Sequence, residues 1–98
     1  MTIIALLELT LRPEAVADAP RVLHETLVAT RAFPGCLGVE VLRGADDPSR
    51  ITVVERWDSP DSDAAYRSWR ATPAGASELG SLLAGAPSLT TFTTEPDI

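Results

Sequence analysis

The chain contains no lysine, no asparagine and no glutamine. That removes Schiff-base chemistry on a lysine and any site that depends on a side-chain amide. There is one cysteine, Cys36, and one histidine, His24. An internal disulfide cannot form, and a zinc site built mainly on cysteine is out of reach, so no metal is expected. All eight cationic side chains are arginine, and fourteen acids outnumber them to a formal charge of −6. A nucleic-acid binder needs the opposite balance. No apolar run approaches the roughly 18 residues of a membrane span. The opening MTIIALLELTLRPE has no basic stretch before its apolar residues and carries a glutamate within them. It therefore predicts neither a signal peptide nor a membrane partner, and the expected location is the cytoplasm.

What is present is ordinary for a folded domain: 98 residues, 45% hydrophobic and 22% charged. A chain of this length supports a single domain, here residues 2–94 with a short tail at 95–98. It buries only about two-thirds of its unfolded surface, so a second copy is a natural supplement.

Hydrophobic periodicity gives the element order. In Thr2–Leu11 the residues Ile3, Ala5, Leu7, Leu9 and Leu11 alternate onto one face of a strand. Asp18 to Ala32 predicts a helix with Asp18 as its cap and a stripe of Val16, Ala19, Leu23, Leu27 and Thr30. Phe33-Pro34-Gly35 stops it. Cys36–Arg43 and Arg50–Trp57 predict an antiparallel hairpin across the turn-forming Gly44–Ser49. Pairing Arg43 with Arg50 would put Gly38, Glu40 and Leu42 on the face of Ile51, Val53, Glu55 and Trp57. Ser59-Pro60-Asp61 opens a second helix running to about Ala71. Ala65 and Trp69 are expected inward, Tyr66 at the edge of that face, and Arg67 and Arg70 in solvent. Thr72-Pro73 predicts a further helical stretch over Ala74–Ala84, weakened by Gly75 and Gly80. Ser88–Thr94 reads as a last strand. The order β-α-β-β-α-β predicts an α+β, ferredoxin-like antiparallel sheet with both helices on one face. Apolar residues on the opposite face predict a homodimer.

Two segments carry a family resemblance. Phe33-Pro34-Gly35-Cys36-Leu37-Gly38 opens the second strand, and Val54-Glu55-Arg56-Trp57-Asp58-Ser59 joins the third strand to the second helix. This PGCLG and ERWDS pair resembles the antibiotic biosynthesis monooxygenase (ABM) family, with the element order matching over about Ile3–Thr94. The resemblance implies a dimeric α+β barrel. It also implies a small monooxygenase without metal or flavin cofactor, acting on an aromatic quinol or polyketide-like phenol. Many relatives place a histidine nine residues after the strand tryptophan, where this chain has Tyr66. Haem-degrading relatives need an asparagine on the first strand, which this chain lacks, so that branch is disfavoured. The loss of the helix histidine equally fits a non-catalytic dimeric binding or accessory protein.

Within that frame Tyr66 and His24 are the catalytic candidates. The tyrosine hydroxyl can hydrogen-bond a phenolate, or it is the wet tip of a boundary side chain. Histidine is the residue type that exchanges protons near neutral pH, and His24 flanks the first helix's apolar stripe as a base or as a solvated residue. Trp57 and Trp69 are the substrate-binding candidates, each alternatively core. Glu40 and Glu55 sit mid-strand, where acids are rare. They either act on substrate as buried carboxylates or, the preferred reading, pair with Arg43 or Arg56 or line a hydrated dimer seam.

Overall fold

A computed structural model describes residues 1–98. Its major elements are β1 (Ile3–Thr10), α1 (Ala19–Ala32), β2 (Cys36–Arg43), β3 (Arg50–Trp57), α2 (Pro60–Arg70) and β4 (Ser88–Thr93). The four strands form one antiparallel sheet in the order β2-β3-β1-β4. The fold is the expected ferredoxin-like α+β arrangement.

Both helices pack on the face that carries Ile3, Ala5 and Leu9 of β1. Under α1, Leu9 and Leu11 meet Val22, Leu23, Leu27, Ile51 and Val53. Under α2, Ile3 and Ala5 meet Trp57 and Tyr66, with Phe33, Cys36 and Trp69 around them. Full burial of one large apolar side chain contributes about 1.5–3 kcal/mol, so Trp57, wholly buried, is a main anchor of the second group.

The hairpin register differs from the expected one by one residue. Arg43 pairs with Ile51, Val41 with Val53 and Val39 with Glu55. The loop decides this. Gly44 N–H donates to Arg50 O at 2.8 Å, closing a five-residue connection. Asp47 Oδ1 then accepts from the Ser49 amide (3.0 Å) and hydroxyl (2.6 Å). Strand side chains alternate, so the slip turns Val39, Val41 and Arg43 toward the helices and Glu40 and Leu42 away.

Ser59 caps α2 by accepting from the Ser62 amide. Asp18 occupies the cap position of α1 but makes no side-chain cap bond. Gly35 has φ +89°, and a Cβ there would collide with the Ser62 side chain. Only glycine fits this approach of the α1–β2 turn to α2. The helix expected over Ala74–Ala84 is replaced by two short 3-10 turns, Pro73–Gly75 and Leu79–Leu82. Gly75 and Gly80 weaken a continuous helix there, and Gly75 packs on the backbone of Trp69 and Arg70.

The face away from the helices is uncovered. Leu42 on β2 and Phe92 on β4 are 46% and 49% exposed, with Ile4, Leu6 and Val54 partly buried between them.

Candidate functional site

The slipped register creates a groove between α1 and the hairpin. One wall is the side of α1 that carries Leu23, His24, Leu27 and Arg31, spaced to recur on one flank of a helix. The other wall is Val41 and Arg43 of β2 with Ile51 of β3, which the register aims at the helix. The groove has a volume of about 290 Å³. Its floor is aliphatic and its rim is basic. Arg31 Nη2 donates to Val39 O at 3.3 Å, tying α1 to β2. Arg43 Nη1 donates to Pro48 O at 3.0 Å. His24 is exposed on the rim, accessible to solvent and to anything the groove holds.

Tyr66 lies elsewhere. It is only 3% exposed, and its hydroxyl is already engaged, 2.7 Å from Thr30 Oγ1 and accepting from Arg70 Nε at 2.7 Å. The two catalytic candidates do not meet: the groove that His24 lines does not include Tyr66. Thr30, which touches Tyr66, is six residues past His24, about 120° around the helix. The two side chains address opposite flanks of α1. Trp57 is fully buried with its ring 4.8 Å from that of Tyr66. Phe33 packs edge-on against both, and Trp69 closes the group at 5.6 Å from Phe33. Trp69 also lines a second hollow of about 440 Å³ between α1 and the end of α2, together with Glu25, Arg70 and Glu78.

The arginines of α2 correct another expectation. Arg70 is half-buried and engaged rather than free in solvent: it donates to Tyr66, to Thr30 Oγ1 and Thr26 O (each 2.9 Å) and to Gly75 O (3.1 Å). Arg67 pairs with Glu55, which is 1% exposed, and with Asp63 at 3.2 Å. Trp57 Nε1 donates to the same Glu55 carboxylate at 3.2 Å. The partner of Glu55 is thus Arg67 rather than Arg43 or Arg56, and Glu40 makes no ion pair. Ala65, expected inward, is exposed. The sheet-facing side of α2 is the i, i+3, i+4, i+7 set Asp63, Tyr66, Arg67 and Arg70. A charged helix face reads as solvated until a buried carboxylate is found opposite it.

No group of three or more histidine, cysteine, aspartate or glutamate side chains is placed to hold a metal ion. Burial pushes the Cys36 thiol above its ordinary range, against a weaker downward pull from the Gly38 backbone. A thiol of that kind is a poor nucleophile. No helix is long and apolar enough to cross a membrane.

Comparison with known proteins bears on the fold and the family. Rv0793 of Mycobacterium tuberculosis superposes with a TM-score of 0.80 at 20% identity, covering 99% of this chain and 98% of that one. A variant of SnoaB, a cofactor-independent oxygenase from Streptomyces nogalater, gives 0.80 at 20% identity, with 99% and 96% covered. A conserved protein of Methanosarcina mazei gives 0.80 at 18% identity, with 97% and 94% covered. No protein of curated function matches the sequence. The sequence model described as "Antibiotic biosynthesis monooxygenase" matches residues 2–75, from the start of β1 through α2 and the turn that follows it, and the chain belongs to that family.

Proposed function

We propose that the protein is a cofactor-free monooxygenase that oxidises a small aromatic quinol or phenol in the groove between α1 and the hairpin, working as a homodimer. The observation that carries this reading is the position of His24. The only side chain of a type that exchanges protons near neutrality stands on the rim of a ring-sized groove with an aliphatic floor. Family membership and the fold shared with a cofactor-independent oxygenase support the reaction class.

The chemistry follows from what such a groove supplies. His24 accepts the phenolic proton. The guanidinium groups of Arg31 and Arg43 favour the resulting anion. The anion passes one electron to dioxygen, and the radical pair combines into a carbon–oxygen bond. His24 returns its proton to the distal peroxide oxygen as the O–O bond breaks, and loss of the ring C–H proton restores conjugation. Quinol and dioxygen give hydroxyquinone and water, with all four electrons from the substrate. In this reading Trp57, Tyr66 and Trp69 hold α1 against α2 and so position His24.

The test is oxygen uptake with naphthoquinols, corrected for spontaneous oxidation and repeated with chelator. His24→Ala should lower the rate by about 100-fold or more, the range of general-base contributions. An unchanged rate refutes the assignment. The engaged Tyr66 hydroxyl favours a second reading, a binding protein without turnover. Tight quinol binding with no uptake would select it.

A further inference from the structure

We infer that the groove takes a mono- or bicyclic aromatic ring bearing a carboxylate, and that Arg31 and Arg43 hold the carboxylate. The inference rests on the proposed use of this groove and narrows its substrate class.

The charge distribution is the first argument. The chain carries fourteen acids and a net charge of −6, yet no carboxylate lines this groove, while two guanidinium groups and the imidazole do. Arg12, Arg21 and Arg67 all have carboxylate partners. Arg31 and Arg43, like Arg50, Arg56 and Arg70, have none, and of these five only Arg31 and Arg43 line the groove. Two nearby acids are withheld by the fold. Glu25, next to His24, pairs with Arg21 at 3.3 Å. Glu40, next to Val39 and Val41, is turned to the far face of the sheet by the register. The positive charge is uncompensated in an otherwise acidic molecule.

The second argument is geometry. Each arginine is tethered through one terminal nitrogen to a backbone carbonyl, one on β2 and one in the hairpin loop. A tethered guanidinium has lost part of its freedom and keeps N–H groups for a ligand. Its planar fork suits a carboxylate. The third argument is size. A cavity of about 150 Å³ holds one benzene ring, so about 290 Å³ is room for one or two rings. The aliphatic floor of Leu23, Leu27, Val41 and Ile51 suits the ring faces.

The experiment is calorimetric binding of 1-hydroxy-2-naphthoate and of its methyl ester, at low and at high salt. The acid should bind at least tenfold tighter than the ester at low salt, with the gap narrowing at high salt. Arg31→Gln and Arg43→Gln should each lower acid affinity about tenfold and lower ester affinity much less. Both residues are exposed, and an unchanged thermal transition verifies folding. Equal affinity for acid and ester, variants that leave the acid unchanged, or no binding of either compound overturns the inference. Oxygen uptake on 1,4-dihydroxy-2-naphthoate and its ester separates the two readings. Uptake that depends on His24 but ignores the carboxylate sinks the anion site and leaves the oxygenase. Arginine-dependent binding without uptake does the reverse.

Discussion

Tyr66→Phe distinguishes a structural hydroxyl from a catalytic one. The substitution keeps the ring, and with it the contacts to Phe33, Trp57 and Trp69. It removes one oxygen that touches Thr30 Oγ1 and Arg70 Nε, each at 2.7 Å. A hydrogen bond from a charged donor contributes about 1.5–3 kcal/mol and a neutral one about 1 kcal/mol. Two considerations reduce the sum. Thr30 keeps a bond from Arg70 Nη2 at 2.9 Å, and Arg70 is only partly buried, so water can reach some of it. The expected loss is about 2 kcal/mol. With a urea m-value of about 1–2 kcal/mol/M for a small domain, the midpoint falls by about 1–2 M. The thermal midpoint falls by about 8–16 °C. Both are compared at one protein concentration, because dimerisation would couple to unfolding. Oxygen uptake per folded molecule should change little. A stability loss below about 0.5 kcal/mol together with a hundredfold drop in uptake would refute the reasoning and return the hydroxyl to the substrate.

The other predictions concern the buried ion pair, the hairpin loop and the open sheet face. Glu55→Gln keeps an acceptor for the Trp57 indole but removes the charge opposite Arg67. It should cost about 3 kcal/mol in chemical denaturation, and a loss under about 1 kcal/mol would show the pair to be dispensable. The Ser49 hydroxyl, and then its amide, hold the Asp47 carboxyl below the ordinary carboxylate range. A folded value below the unfolded one contributes stability above the unfolded value and loses it as pH falls through the folded one. Amide protection in the Gly44–Arg50 loop, taken relative to the intrinsic exchange rate at each pH, should therefore fall as pH drops below about 4. Asp47→Ala should abolish that pH dependence, and a loss of protection that persists in the variant would refute the assignment. Sedimentation at micromolar concentration should show a dimer, and Leu42→Asp with Phe92→Asp should yield a monomer by charging the open sheet face. A wild-type monomer would refute the dimer.

The element order, both helices and the face of β1 were legible in the chain, because period-two and period-3.6 patterns follow directly from backbone geometry. The hairpin facing was not. Both strands are apolar on two sides, so hydrophobicity could not choose between registers one residue apart. The Asp47–Ser49 loop made that choice. The sheet-facing side of α2 was misread for a related reason. Arginines at helical spacing look solvated, and Glu55, twelve residues before Arg67, is brought opposite it only by packing α2 onto β3. Arg31 and Arg43 carried no local signal at all, being twelve residues apart on different elements.

Composition and periodicity alone thus determined an acidic α+β chain without lysine or amide side chains and with one histidine, and two of its segments resembled the ABM family. Tertiary structure decided which polar groups meet. It buried Glu55 against Arg67, committed the Tyr66 hydroxyl to Thr30 and Arg70, and gathered His24, Arg31 and Arg43 around one groove. The physical reason is the same in each case. Apolar burial is non-directional and leaves a one-dimensional pattern, whereas hydrogen bonds and ion pairs need specific atoms a few ångströms apart. That proximity exists only once the chain has folded.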